Sequence, residues 1–303
     1  MTAQDFQNFV IDEINKITWR QNLIVQKLDK IVLHCSRLCE ITHDVKHIPP
    51  ATGHLRLQQR ALVKLATMID TDFRDAGINY FLCAGNLLGA MRTGDFIPWD
   101  DDIDMDLMRP DFERATDLLT KKYNYGPFRT DWAKSGHIFK IFFLDKMCVD
   151  LFPCDFYTKR ITTRDDMTEF QTNYIAAMEE ARRMEDGQSQ YTDYADIMRD
   201  MVFKNRPQDP RGDIIDGIDY QTFPDRITRN YHTYIWRHEY IFPLGEIEFE
   251  GHKFMAPNNP DAWLTQRYGD WRAFNPDFTT HKTPKFSYEE LQIINDFLDG
   301  KIK

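Results

Sequence analysis

Apolar residues recur at helical spacing near the start of the chain, at Ile14, Ile17, Ile24, Leu28, Ile31, Cys35 and Leu38, and predict a long amphipathic helix over about 4–45. Phe9, Trp19, Leu23 and Val25 fall outside that seam, so the helix is expected to meet more than one neighbour, within its chain or across a homo-oligomer. Pro49-Pro50 ends it, because proline lacks the amide donor and restricts the residue before it. A second helix is predicted over 55–76, with Leu62, Leu65, Met68, Ile69 and Phe73 inward and Gly77 just past its end. The period then changes. Residues 79–83 read as a strand, and Gly85-Asn86-Leu87-Leu88-Gly89 turns it into a short helix ending near Arg92. From Asp102 acidic and apolar positions alternate, so Asp102, Asp104 and Asp106 share one strand face and Ile103, Met105 and Leu107 the other. Pro110 opens a helix to about 123, with Phe112, Ala115, Leu118 and Leu119 as its stripe.

Two further strands are predicted over 137–144 and 148–157, joined by the turn Asp145-Lys146. Helices follow over 165–185 and 193–203, then a loop at Pro207, Pro210 and Gly212, and a helical pattern over 227–238. Residues 246–250 and 253–255 form a hairpin around Gly251-His252. Asn258-Asn259-Pro260-Asp261 caps a helix to about 268, and Ser287 with Glu290 caps a last one over 288–298. The order of elements predicts an α+β fold: a mixed-sheet core with flanking helices and a long N-terminal helix. Its expected divisions are the helix at 1–50, a catalytic core at 51–160, and a mainly helical part at 161–303 whose small β-hairpin helps complete the same domain.

The 303 residues are 42% hydrophobic, enough for a substantial core. The net charge of −10 speaks against nucleic acid as a partner and favours small anionic molecules carried with Mg²⁺. The start of the chain lacks a basic stretch followed by an apolar run, and no transmembrane run of about 18 apolar residues occurs. A cytoplasmic protein is expected, with peripheral contact at the inner membrane face as its membrane option. Five cysteines without a C-x-x-C pair read as buried thiols.

The acidic strand is the unusual feature. Carboxylates on neighbouring positions of one strand face repel one another, and Asp is a poor strand former, so such a row is expected where a divalent cation neutralises it. Around it stand a glycine turn at Gly85-Asn86, leading into a helix, and a later acid between apolar neighbours, Val149-Asp150-Leu151. Backbone amides at a glycine turn can approach a phosphate, and paired carboxylates can hold Mg²⁺, or Mn²⁺ in its place, against the same phosphates. This is the layout of the nucleotidyltransferase fold.

The runs 80–92 and Phe96-Ile97-Pro98-Trp99-Asp100-Asp101-Asp102-Ile103-Asp104 resemble the LicD family, related to fukutin-related protein. Leu57-Gln58, residues 149–153, Phe249-Glu250-Gly251 through Ala256-Pro257, and Leu264 through Tyr268-Gly269-Asp270 extend the resemblance over about 55–285. It implies a phosphotransferase that moves phosphocholine, or a related alditol phosphate, from a CDP-linked alcohol donor to a saccharide acceptor, free or lipid-linked. By that logic Asp102 and Asp104 ligate the metal, and Asp150 shares it or accepts the acceptor's proton. Gly85 and Asn86 face the phosphates. Arg92 either neutralises the donor pyrophosphate or is structural; Lys140 and His137 are weaker candidates for the same task. Trp99 is expected to pack, and His281 to lie near the end of the similar region. Three departures bear on the donor's head group: Asn86 where Thr or Ser is usual, Thr93-Gly94-Asp95 in place of His-x-Gly, and Asp106 where a small uncharged residue is usual. Two other readings stand beside the first: a nucleotidyltransferase that releases pyrophosphate, and an inactive scaffold.

Overall fold

The computed structural model describes residues 49–133, 138–218, 235–272 and 285–302. The expected helix over 4–45, with the homo-oligomer interface assigned to it, lies outside these residues, as do His137 and His281. Helix α1 (Gly53–Ala76) buries Leu62, Leu65, Ala66, Ile69 and Phe73 along one side and ends at Gly77, whose φ of 61° suits a residue without Cβ. It leads to β1 (Phe81–Leu82), α2 (Ala84–Arg92), β2 (Ile103–Met108) and α3 (Arg109–Lys122). Then come β3 (Phe128–Trp132), β4 (Phe139–Phe143) and β5 (Met147–Phe156).

These strands form one mixed sheet in the order β1-β2-β5-β4-β3. β2 and β5 run parallel, with Asp104 opposite Asp150, and the other pairs are antiparallel. Alternation sorts the side chains. Ile103, Met105 and Leu107 of β2, Val149 and Leu151 of β5, and Phe139, Ile141 and Phe143 of β4 join α1 and α3 in the main core. Helix α8 (Tyr288–Leu298) adds Ile294 and Phe297 to it. The same alternation sends Asp104, Asp150 and Lys140 to the opposite face.

The class is α+β, as the pattern predicts, but three strands depart from the expected elements. β3 alternates weakly, because only Phe128 is buried on this edge strand while Arg129, Thr130 and Asp131 stay accessible to solvent. β6 (Ile214–Asp216) follows the expected loop and pairs with the end of β5, and β7 (Ile235–Trp236) pairs with β6. Ile235 and Trp236 therefore belong to a strand, not to the helix read over 227–238; the remainder of that stretch up to 234 lies outside the described residues. Trp236 stacks on Trp263, with ring centroids 5.4 Å apart. A two-residue ladder gives periodicity nothing to repeat.

Beyond 160 the helical reading holds with local changes. α4 (Arg164–Glu185) starts from a Thr163–Asp166 capping box. α5 (Tyr194–Ile197) passes into a π-helical turn at Met198–Val202, so the helix expected over 193–203 is not continuous. α6 (His238–Ile241) leads to the hairpin of β8 (Gly245–Phe249) and β9 (His252–Ala256). Phe249 pairs with His252, so the turn is Glu250-Gly251, at φ 53° and 75°, one residue earlier than expected. A two-residue hairpin turn of this kind requires positive φ at both central positions. α7 (Pro260–Tyr268), capped by Asn259, packs against α2. No helix among the described residues is long and apolar enough to cross a membrane.

Candidate functional site

The ladder between β2 and β5 builds the site. Asp104 sits opposite Asp150, and Asp102 immediately precedes the strand, so carboxylate oxygens of all three lie within 4.8 Å of one another. Asp150 is 5% exposed, and its Oδ1 is buried without a hydrogen bond from the protein. Its Oδ2 accepts from the Lys140 ammonium, which the β4–β5 register sets directly across from it. Like charges opposite one another on a sheet are destabilising, and Lys140 offsets part of that cost. Burial would lower the Lys140 ammonium, but Asp150, Cys148 and Asp102 hold it above its ordinary range. Asp104 is pushed well above the usual carboxylate range, first by burial and then by Asp102, Asp150, Asp100 and Asp106. This crowding is what a cation would relieve.

The remaining expected residues take different places. Gly85 opens α2, and a Cβ built on it would lie 2.6 Å from Asp100 Oδ2. The close approach that this glycine permits is thus to a carboxylate. Asn86, expected to donate to phosphate, is fully buried and has both amide atoms engaged. Its Nδ2 donates to the Asp102 carbonyl at 3.0 Å and its Oδ1 accepts from the Asp104 amide at 2.6 Å, so it holds the β2 backbone. The Arg92 guanidinium donates to the Trp271 carbonyl at 3.0 and 2.5 Å. Trp99 is half-buried, and Asp95 is exposed.

Alternation alone passed over Asp100, which precedes the strand. Its Oδ2 is buried without a hydrogen bond, and burial followed by the charges of Asp102 and Asp101 raises its carboxyl well above the ordinary range. Asp106 shares the Asp104 face but is 6% exposed, beneath Cys83. Burial and Asp216 push it up to about 7, against the opposing effects of Cys83 and Arg267. Tyr268, at the end of α7, is raised to about 12 by burial, with Asp104, Cys83 and Asp100 adding to the effect. The effect of these carboxylates on Tyr268 has no signature in sequence spacing, because Tyr268 lies far from β2 along the chain.

Residues 77–184 match the family model described as LicD/FKTN/FKRP, nucleotidyltransferase domain. The mouse and human proteins named ribitol 5-phosphate transferase FKRP are each 32% identical over 113 residues, covering 35% of this chain and 22% of the relative. The Haemophilus influenzae lipopolysaccharide cholinephosphotransferase LicD is 49% identical over 41 residues, covering 14% of this chain and 16% of the relative. The chain thus spans less than a quarter of the curated relatives that it matches. Asp102, Asp104, Asp150 and Lys140 all fall within the segment that is similar to this nucleotidyltransferase domain.

Proposed function

We propose that this protein is a divalent-metal-dependent phosphotransferase that moves a phospho-alcohol, phosphocholine or an alditol phosphate, from a CDP-activated donor to a saccharide hydroxyl and releases CMP. The observation that carries this reading is the meeting of Asp102, Asp104 and Asp150 across the parallel β2–β5 pair. Three carboxylates and one ammonium leave a local charge of about −2, the donors are hard oxygens, and Asp150 Oδ1 is an orphaned acceptor; all three features suit Mg²⁺ or Mn²⁺. When bound, such a cation supplies charge stabilisation to the phosphate oxygens. The names of the relatives, one a ribitol 5-phosphate transferase and one a cholinephosphotransferase, support phosphoryl-alcohol transfer over the alternatives.

In this reading the acceptor hydroxyl oxygen forms a bond to the donor's β-phosphorus, the bond from that phosphorus to the CMP oxygen breaks, and the hydroxyl proton passes to a carboxylate. Asp150 takes one of two roles, ligating the cation through Oδ1 or receiving this proton there, while Lys140 holds the other oxygen. Asp102 and Asp104 would hold the cation, which would supply charge stabilisation to the donor's phosphates. The test is incubation of the protein with Mg²⁺, a saccharide acceptor and either a panel of CDP-alcohols or nucleoside triphosphates, with products read by mass spectrometry. CMP together with a phosphodiester is expected. Pyrophosphate released from a nucleoside triphosphate in place of CMP would identify a nucleotidyltransferase, and no turnover with any donor would favour the scaffold.

A further inference from the structure

The segment that carries the carboxylates has little regular structure of its own between Phe96 and Asp102, yet the backbone carbonyls at its end all have donors. Three successive ones are each met by a side-chain amide from inside the protein. Gln59 Nε2 donates to the Asp100 carbonyl at 2.9 Å and, more weakly, to that of Ile97 at 3.5 Å. Gln58 Nε2 donates to the Asp101 carbonyl at 2.6 Å. Asn86 Nδ2 donates to the Asp102 carbonyl at 3.0 Å, and its Oδ1 receives the Asp104 amide. Gln58 and Gln59 are 1% exposed and Asn86 is 0% exposed. Primary amides are neutral, so they can hold backbone groups beneath a crowd of carboxylates without adding charge to it.

A second layer supports the first. Arg56 donates to Gln59 Oε1 at 3.3 Å and pairs with both oxygens of Glu250 at 2.7 and 2.8 Å. Glu250 Oε1 in turn accepts from the Phe96 amide at 3.1 Å. The chain from Arg56 to Glu250 thus fixes the start of the segment, while the three amides fix its end.

We propose that Gln58, Gln59 and Asn86 act as an amide clamp: positioning residues that set the backbone of Asp100–Asp104 so that Asp102 and Asp104 converge with Asp150 on one cation. The proposal rests on the metal-site reading above. Groups that orient metal ligands without touching the metal commonly change metal affinity by about 10-fold to 100-fold when removed. A clamp that served stability alone would lower the melting temperature and leave the affinity of the folded protein unchanged.

The test uses the full chain and Mn²⁺ as probe. Mn²⁺ affinity is measured by electron paramagnetic resonance for the wild type, Gln58→Met and Gln59→Met, with hydrogen exchange of the segment 97–104 followed on the same samples. Methionine keeps the length of glutamine and removes its donor. The expected result is wild-type binding that weakens about tenfold or more in each variant, with faster exchange confined to that segment. Should a methionine variant not fold, Asn86→Ala, which removes both the donor to the Asp102 carbonyl and the acceptor of the Asp104 amide, is measured in the same way with the same expectation. Wild-type binding that is unchanged in the folded variants would overturn the clamp and leave the metal site standing. A wild type that binds no Mn²⁺ would overturn the metal reading, and the clamp with it.

Discussion

Asp150 and Asp155 lie five residues apart on β5, each nearly inaccessible to solvent, each with apolar neighbours in sequence, and on opposite faces of the sheet. Their surroundings differ. Asp155 accepts from Arg109 Nε and Nη2 at 3.2 and 2.6 Å, from the Ile218 amide at 2.9 Å and from Gln208 Nε2 at 3.4 Å, so both of its oxygens are occupied by protein. Asp150 has one lysine on one oxygen and an orphaned acceptor on the other, with two further carboxylates at hand. A buried carboxylate satisfied by its own fold stabilises that fold. One left partly unsatisfied beside like charges has a cost that only an added cation or proton removes.

The comparison can be broken most forcefully at Asp155. Asp155→Ala leaves Arg109 facing a vacated site, and removing one partner of a buried ion pair costs about 3–5 kcal/mol. Denaturant unfolding should register a loss of that size, while Mn²⁺ affinity of the folded fraction stays at the wild-type value. A stability change below about 1 kcal/mol, or a loss of metal affinity, would dissolve the distinction between the two carboxylates.

Asp104→Asn should do the reverse. It removes one preorganised charge contact, for which a rate loss on the order of 10²–10³-fold is expected in the CMP-release assay. It also relieves repulsion from Asp102 and Asp150, so the melting temperature without metal should hold or rise. A variant that turns over normally, or that unfolds where the wild type does not, would contradict the account.

Lys140→Met sharpens the difference with a smaller effect. The Lys140 ammonium competes with a cation for Asp150, and its removal should tighten Mn²⁺ binding by roughly tenfold or less, a charge interaction on the order of 1 kcal/mol at a partly exposed position. Weaker binding in calorimetric titration would instead show that Lys140 orders Asp150 for the metal.

Asp150 stands out in the sequence as an acid between apolar neighbours, but that feature alone does not carry it. Val149 and Leu151 flank it much as Cys154 and Phe156 flank Asp155, so an acid between apolar residues does not by itself separate a site from an ion pair. What separates them is register: Asp104 pairs with Asp150 only because β2 and β5 run parallel, a long-range fact that local periodicity does not carry. The helices at α1, α3, α4 and α8 were readable because each has a stripe several turns long or a capping signal. β6 and β7, at three and two residues, were not. Asn86 was picked out for its place in the glycine turn and assigned to a ligand, whereas its amide is committed to the chain itself. Gln58 stands out only as part of the family resemblance and Gln59 not at all, since glutamine on a helix ordinarily faces water. Their partners lie some forty residues away, as the 43-residue and 41-residue separations of their hydrogen bonds show.

The central claim is that Asp102, Asp104 and Asp150 together bind one divalent cation. Calorimetric titration of Mn²⁺ into the wild type, Asp150→Asn and Asp155→Ala tests it most directly. The account predicts one saturable site in the wild type, the same site in folded Asp155→Ala, and a loss of affinity of about tenfold or more in Asp150→Asn. Equal binding by the wild type and Asp150→Asn, or no binding by either, would contradict it.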